Sequence, residues 1–362
     1  MGWDKLTSAV RRAVQGEAPT AATTAGVTAE DISLAFEVLL RRPPHGKDDI
    51  AHHLSLGFKN RFELGDYLCV TDEFRARMDR LAAEGLVPSS RSEHITRRPV
   101  TVFLGDRVLT QTHRGFRIYC VPTDVDLTPH LILHGGWETH VEQVIQRLLR
   151  PGQQAMDIGA NIGYHTLSIA AAVGGSGRVH AFEANPALQN LLYSSIFING
   201  MSSYVQVHPL AVTDRPGSIV LASQPLHFGS GNVVPERAMD DGYHNAYSNR
   251  VEVPSISLDT FFPSDAVFDL LRIDIEGAEP LALRGAEALI RRSPRLQILC
   301  EWSVGMMSAR ADVGAFVAWL VELGFRFWLI TPSGRLEALD TARMPDLPHS
   351  DVVISRHEPE NG

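Results

Sequence analysis

The sequence predicts an α/β protein built on a mostly parallel, Rossmann-like sheet, with a small all-helical domain and a short β meander ahead of it. Three observations lead there. At Gln154-Ala155-Met156-Asp157-Ile158-Gly159-Ala160-Asn161-Ile162-Gly163 an apolar run ends in an acid, glycines follow, and a helical pattern begins. Strand, tight turn and helix N-terminus in that order are where α/β sheets hold nucleotide-like molecules. Apolar runs at 154–158, 179–183 and 204–208 alternate with helical patterns at 163–173 and 187–199, which implies parallel strands joined by crossovers. Ahead of them, residues 28–40 carry an amphipathic helical pattern with no strand signal nearby.

In chain order, residues 17–27 read as an Ala/Thr/Gly/Pro linker. Thr28 then caps a helix whose first turn holds Glu30 and Asp31. Ile32, Ala35, Phe36, Leu39 and Leu40 form its apolar face, and Pro43-Pro44 ends it. Shorter helices are expected at 47–56, 60–69 and 72–84, completing a helical domain over 1–95. His52 and His53 have no partner ligands in sequence and read as ordinary histidines. The linking segment, 96–150, begins with β-type runs at Val100–Leu104, Arg107–Thr112 and Phe116–Val121, with Gly105-Asp106 and Arg114-Gly115 as turns. Gly135-Gly136-Trp137-Glu138 opens a helix to about Leu149. The main domain, 151–356, adds strands at Gly217–Ala222 and Arg250–Ile256. Residues 223–249 between them read as a long loop, a candidate substrate lid that holds His227, Ser230, Asn232, His244 and Tyr247. A buried strand ends at Asp274, and Glu276-Gly277 turns into a helix to about Arg292. Leu296–Cys300 leads to Glu301-Trp302 on the same rim. A helix over 311–323 and strands at Phe325–Ile330 and Asp351–Ser355 follow, and 357–362 is a tail.

Composition narrows the function classes. The chain has 362 residues, 44% of them hydrophobic, with a formal net charge of -9. That charge argues against a nucleic-acid binder. The three cysteines, Cys69, Cys120 and Cys300, lack zinc spacing and read as reduced thiols in a cytoplasmic protein. Trp3 to Val14 is amphipathic with Lys5, Arg11 and Arg12, and lacks a secretory apolar core. No apolar run reaches the length of a membrane span.

The turn after Asp157 points to a cofactor. Its glycine order is G-x-x-x-G, whereas a dinucleotide turn is G-x-G-x-x-G. An acid beside a pyrophosphate would be repelled, and one facing an ammonium group favoured. S-adenosylmethionine has an ammonium, a sulfonium and no phosphate, so it suits Asp157, Gly159, Asn161 and Gly163 better than NAD does. Glu183, ending the second strand, is placed to accept from both ribose hydroxyls of either cofactor. Asp274, Glu276 and Glu279 bring three carboxylates close together, and they repel one another unless compensated. A raised pKa would suit a general base. A Mg²⁺ ion held by Asp274 and Glu276 would serve, as would helix N-terminal capping. Asp274 is favoured as functional, and one glutamate as structural.

D-I-G-A-N-I-G-Y at 157–164, F-E-A-N-P at 182–186, S-L-D at 257–259 and R-I-D-I-E-G-A-E at 272–279 together resemble the successive motifs of FkbM-type methyltransferases, over roughly 130–356. The resemblance implies a class I methyltransferase fold with an antiparallel C-terminal strand, and S-adenosylmethionine as cofactor. It also implies Glu138 near the cofactor, adenine contacts at Ala211 and Val212, and an oxygen acceptor. Asp214 is either an adenine contact or a turn acid. Asp274 is a candidate cofactor contact and the first candidate for catalysis, with Glu301, His227 and His244 as rivals. The N-terminal unit, through "A-F-E-V-L-L-R-R-P-P", "F-E-L-G-D-Y-L" and "T-D-E-F-R", resembles an accessory domain of surface-polysaccharide enzymes. That implies a sugar or glycan acceptor, and a homo-oligomer or glycan-assembly partner through this unit. The alternatives are a secondary-metabolite O-methyltransferase, an NAD-dependent oxidoreductase, and a non-catalytic binding module.

Overall fold

The computed structural model describes residues 27–40, 42–58, 64, 67–68, 71–73, 76, 101–224, 226–234 and 247–360. The linker reading at 17–26, most of the helix readings at 60–69 and 72–84, Cys69 and His244 lie outside these residues. The chain divides into two compact units, Met1–Ile95 and Thr96–Gly362.

In the first unit, α1 (Ala29–Ala35) starts at a reciprocal cap. The Asp31 amide donates to Thr28 Oγ1 at 3.2 Å, and the Thr28 amide to Asp31 Oδ2 at 3.0 Å. Two donors that a helix start leaves open are thereby satisfied. The helix continues as a π-helical segment, Phe36–Leu40. Ile32, Phe36 and Leu40 bury one face together with Leu64 and Leu68. On α2 (Lys47–Ser55), His53 is buried edge-on to Phe36, with Nδ1 2.8 Å from the Asp49 carbonyl oxygen.

The second unit opens with the expected antiparallel meander, β1 (Val102–Phe103), β2 (Val108–Gln111) and β3 (Arg117–Cys120). Where the sequence predicts one helix from Gly135, the structure has two, α3 (Leu127–His134) and α4 (Thr139–Leu148). Pro129 falls in the first turn of α3, where no amide partner is lost. Gly135 ends α3 in the left-handed region at φ 66.

Next come β4 (Gln154–Ile158), α5 (Tyr164–Val173), β5 (Arg178–Phe182), α6 (Pro186–Ile198) and β6 (Val205–His208). A second sheet holds β7 (Ala211–Val212), β8 (Gly217–Gln224), β9 (His227–Val233) and β10 (Asn249–Ile256) in the order β7-β10-β8-β9. The loop expected over 223–249 is therefore interrupted by a strand. β9 pairs antiparallel with β8, Leu221 opposite Val233. The polar, glycine-rich run hid it, because backbone pairing rather than apolar alternation makes this strand.

After α7 (Leu258–Phe261) come β11 (Leu270–Ile273), α8 (Glu279–Arg284), α9 (Glu287–Arg292), β12 (Gln297–Trp302), α10 (Val304–Met307), α11 (Val313–Glu322), β13 (Arg326–Ile330), β14 (Leu336–Leu339) and β15 (Ser350–Ser355). The single helix expected after Gly277 is broken at Gly285. There the Asp259 carboxylate accepts the Ala288 and Leu289 amides, at 2.9 and 2.7 Å, and restarts the chain as α9. The main sheet runs β14-β13-β15-β12-β11-β4-β5-β6. β13, β12, β11, β4, β5 and β6 run in one direction, and β15 and β14 run antiparallel to them. Apart from the added β14, this is the class I methyltransferase order implied by the motifs. All four residues of β11 are buried, as expected of a parallel strand covered on both faces. The chain reverses direction of travel between β4 and β11, and such a switch point leaves a crevice at the strand C-terminal ends. The expected tail is anchored at its start, where Arg356 donates to the carbonyls of Ile290, Ser293 and Leu323 at 2.9–3.0 Å. Among the described residues, no helix is long and apolar enough to cross a membrane.

His180 on β5 and His208 on β6 stack 5.3 Å apart, Nδ1 to Nε2 3.0 Å, with Phe262 and Phe268 packed edge-on. Burial, then the neighbouring His208, pushes His180 down from 6.5 to about 4. Its folded form thus binds fewer protons than the unfolded chain between those values. The stability contributed is complete above about 6.5 and is lost as pH falls toward about 4. The melting temperature should fall through that window, and His180→Phe should flatten the fall. An unchanged slope in His180→Phe would show that the pair does not govern acid sensitivity.

Candidate functional site

A cavity of about 360 Å³ opens at the C-terminal ends of β4, β5 and β11. Its size is within the roughly 300–1,000 Å³ of small-molecule sites. The turn after β4 supplies Gly159, Ala160 and Asn161, the turn after β5 supplies Glu183, and the turn after β11 supplies Asp274 and Glu276. Glu301 on β12, Glu138 before α4, and Ala211 and Val212 on β7 complete the walls that the sequence reading named.

Gly159 has φ 84, and a Cβ there would overlap the Asp274 carbonyl oxygen. No side chain fits, because the turns after β4 and β11 touch at this point. Asn161 sits at φ 51, its Oδ1 accepting the Ile162 amide at 2.7 Å. Gly163 serves helix packing and does not line the cavity. At φ 99 its Cβ would lie 2.8 Å from Leu192 Cδ1, so the glycine lets α5 start against α6.

Asp157 requires a correction. Its carboxylate is wholly buried and does not line the cavity, so it cannot face a cofactor ammonium. Thr166 Oγ1 donates to it at 2.5 Å and Arg272 Nη1 at 3.3 Å. Arg272 is the residue the sequence reading missed. It also donates to the Gly159 carbonyl at 3.1 Å and to Asp274 Oδ2 at 2.5 Å, and it lines the cavity. The available signal was a charge inside the apolar run of β11, two residues before Asp274 and so on the same face.

Glu183 accepts the Asn161 amide on one oxygen and the Asn185 amide on the other, each at 2.7 Å. It thereby ties the β4 turn to the β5 turn. Burial pushes its pKa up to about 7 against those two amides. Each oxygen retains a lone pair for a further donor.

Across the cavity, oxygens of Asp274, Glu276 and Glu301 lie within 4.8 Å of one another. Burial, then the charge of Asp274, pushes Glu276 up to about 8 and Glu301 up to about 11. Burial also raises Asp274, opposed by Arg272. Glu279 stands apart as the structural glutamate. It is fully buried, and its Oε1 accepts the Ile275 and Gly277 amides at 2.8 and 3.3 Å, clamping the turn.

Glu138 adopts φ 43, and its Oε2 is 3.0 Å from His165 Nε2. Burial alone would raise Glu138, but the His165 hydrogen bond and charge outweigh it and hold the carboxyl near 2. His165, also absent from the sequence reading, is buried and lines the cavity. Its role comes from Glu138, 27 residues earlier, so spacing gave no signal. His227 does not line the cavity. It pairs at 2.9 Å with Asp126, which does. Asp214 is exposed, accepts from Thr213 Oγ1 at 3.1 Å and lies away from the cavity, which is the geometry of a turn acid. Cys120 and Cys300 are free and buried.

The family model described as the methyltransferase FkbM domain matches residues 157–327. The match spans just under half of the chain and makes these residues similar to an FkbM methyltransferase domain. The matched span runs from the β4 turn to β13 and includes Glu183, Arg272, Asp274, Glu276 and Glu301. Among solved structures, the chain is similar to the methyltransferase FkbM from Methylobacillus flagellatus KT, at 15% identity and TM-score 0.34 over 56% of this chain. That match spans 43% of the Methylobacillus chain. A S-adenosylmethionine-dependent O-methyltransferase from Thermotoga maritima is similar at 14% identity and TM-score 0.35, covering 73% of this chain and 88% of that one. A putative rRNA-methylase from Clostridium thermocellum is similar at 12% identity and TM-score 0.37, covering 61% and 96%. No curated protein matches the sequence.

Arg272→Met should be strongly destabilising. It leaves Asp157 buried against Thr166 alone and Asp274 without its cation, and breaking a buried pair costs about 3–5 kcal/mol. Denaturant unfolding measures this. A loss under about 1 kcal/mol would mean that the guanidinium is not what neutralises the two acids.

Proposed function

We propose that the chain is a S-adenosylmethionine-dependent methyltransferase that acts in the cytoplasm on an oxygen acceptor, a sugar or glycan hydroxyl. The observation that carries this is the charge of the cavity wall. Asp126, Glu138, Glu183, Asp274, Glu276 and Glu301 line it, against the single guanidinium of Arg272. Arg272 is already engaged by Asp157, Asp274 and the Gly159 carbonyl. Such a wall repels a pyrophosphate and favours a ligand of net positive charge. S-adenosylmethionine is a cation and NAD an anion at neutral pH, so the wall favours the first. The apolar side fits as well, with Ile158, Phe182, Leu210 and Val212 beside the acids.

S-adenosylmethionine, when bound, supplies an electrophilic methyl on its sulfonium. The chain's own residues do the rest. Glu183 is placed to accept from ribose hydroxyls and Glu138 to pair with the ammonium. Asp274, at the end of β11 beside the β4 turn, takes the acceptor proton as the oxygen attacks. Glu276 and Glu301 flank it. A second reading of these acids rests on their spacing. Three carboxylate oxygens within 4.8 Å could hold a Mg²⁺ ion, which would lower the acceptor's pKa instead. The sugar acceptor rests on the resemblance of the N-terminal unit to polysaccharide-associated domains. The same unit is proposed to contact a glycan-assembly partner or a second copy of the chain.

The test is intact-mass screening of glycan fragments and sugars, with secondary-metabolite alcohols as controls, for the gain of one methyl group. A sugar that gains it supports the proposal, and methylation confined to the control alcohols overturns the sugar assignment. With the acceptor found, Asp274→Asn should lower turnover by about 10²–10⁴-fold, the scale of a lost general base, with cofactor affinity retained. Normal turnover would remove Asp274 from the chemistry. Loss of wild-type activity in EDTA, restored by Mg²⁺, would replace the base by the ion.

A further inference from the structure

Beside the cavity lies a second, open hollow of about 450 Å³, and the two share His130, Trp137 and Glu138 as a common wall. Among the described residues no Val, Leu, Ile or Met lines it. Trp137, Glu138 and four histidines, His113, His130, His134 and His140, line it together with Gly136 and Thr139.

Local structure fixes these groups in place. Trp137 and Glu138 occupy the short connection between α3 and α4, and Gly135 binds that connection to the meander. The His113 amide donates to the Gly135 carbonyl at 2.7 Å, and a Cβ at Gly135 would lie 2.8 Å from the same amide nitrogen. His130 packs edge-on to Trp137 at 5.1 Å and lies 6.1 Å from His134. His113 Nε2 is 3.2 Å from Glu142, and His140 Nε2 is 3.1 Å from Asp351.

We propose that this hollow is the acceptor subsite and that it binds a neutral pyranoside. The inference rests on the methyltransferase reading above and adds the ligand class and its location. An indole offers a flat apolar face to the C–H face of a sugar ring. Imidazoles both donate and accept, so four of them match a ring edged with hydroxyls. Charge selects among sugars. The carboxylates of Glu138, Glu142 and Asp351 face the hollow or its histidines, and no Lys or Arg lines it among the described residues. A phosphate-bearing or nucleotide-linked sugar would meet these acids without a fixed cation. Through the shared wall of His130, Trp137 and Glu138, a ring in the hollow borders the cavity that Asp274 and Glu301 line.

The test is saturation-transfer NMR on the full chain without cofactor, using the methyl glycosides of glucose, galactose, mannose and rhamnose, with glucose 1-phosphate as the anionic comparison. Signal is expected on at least one methyl glycoside and not on the phosphate. His134→Ala, which touches only the hollow, should weaken that signal, and Trp137→Leu should abolish it. Calorimetry of S-adenosylmethionine binding to wild type and His134→Ala runs in parallel and should give equal affinities. No transfer to any glycoside, or transfer unchanged in both variants, overturns the subsite while the cofactor result stands. A preference for glucose 1-phosphate overturns the neutral-sugar assignment. Failure of wild type to bind S-adenosylmethionine overturns the methyltransferase reading instead.

Discussion

The site depends on one buried guanidinium. Arg272 reaches from β11 to the Asp157 carboxylate on β4, to the Gly159 carbonyl in the turn beyond it, and to Asp274 at its own strand end. Three acceptors that would otherwise repel one another in a dry interior are held at once. The turns after β4 and β11 can then touch, which is why Gly159 has no room for a side chain. Glu183 extends the lock to the β5 turn through two amides. Three parallel strands thus end in turns that are fixed relative to one another, and the cavity is the space they bound.

The same arrangement explains the electrostatics. One cation is shared among buried acids, so the remaining carboxyls respond to burial and to their neighbours. Glu276 and Glu301 rise furthest, while the His165 hydrogen bond and charge hold Glu138 low. A cationic ligand relieves the mutual repulsion that raises these acids.

Much of the fold was legible because it is written locally. The strand–glycine–helix signature at 154–167, the crossover alternation and the Thr28 cap each depend on residues within a few positions. Asp157 was read correctly as a strand-end acid and wrongly as facing the ligand. Its partner, Arg272, is 115 residues away, and nothing near Asp157 records it. The residue-level site followed the same division. Glu138, Glu183, Asp274 and Glu301 stand at strand or helix ends, where position alone puts them on the rim. His165 and Arg272 matter through distant partners, and β9 through backbone pairing, so composition and spacing hid all three. Gly285 misled as well, because it breaks a helix that the pattern after Gly277 carries through to Arg292.

The central claim is that an acid-walled cavity, locked by Arg272, takes a cationic cofactor. Calorimetric titration of the full chain with S-adenosylmethionine and, separately, with NAD tests it most directly. Saturable binding of S-adenosylmethionine with no saturable heat from NAD is the expected result. Saturable NAD binding without S-adenosylmethionine binding would contradict it.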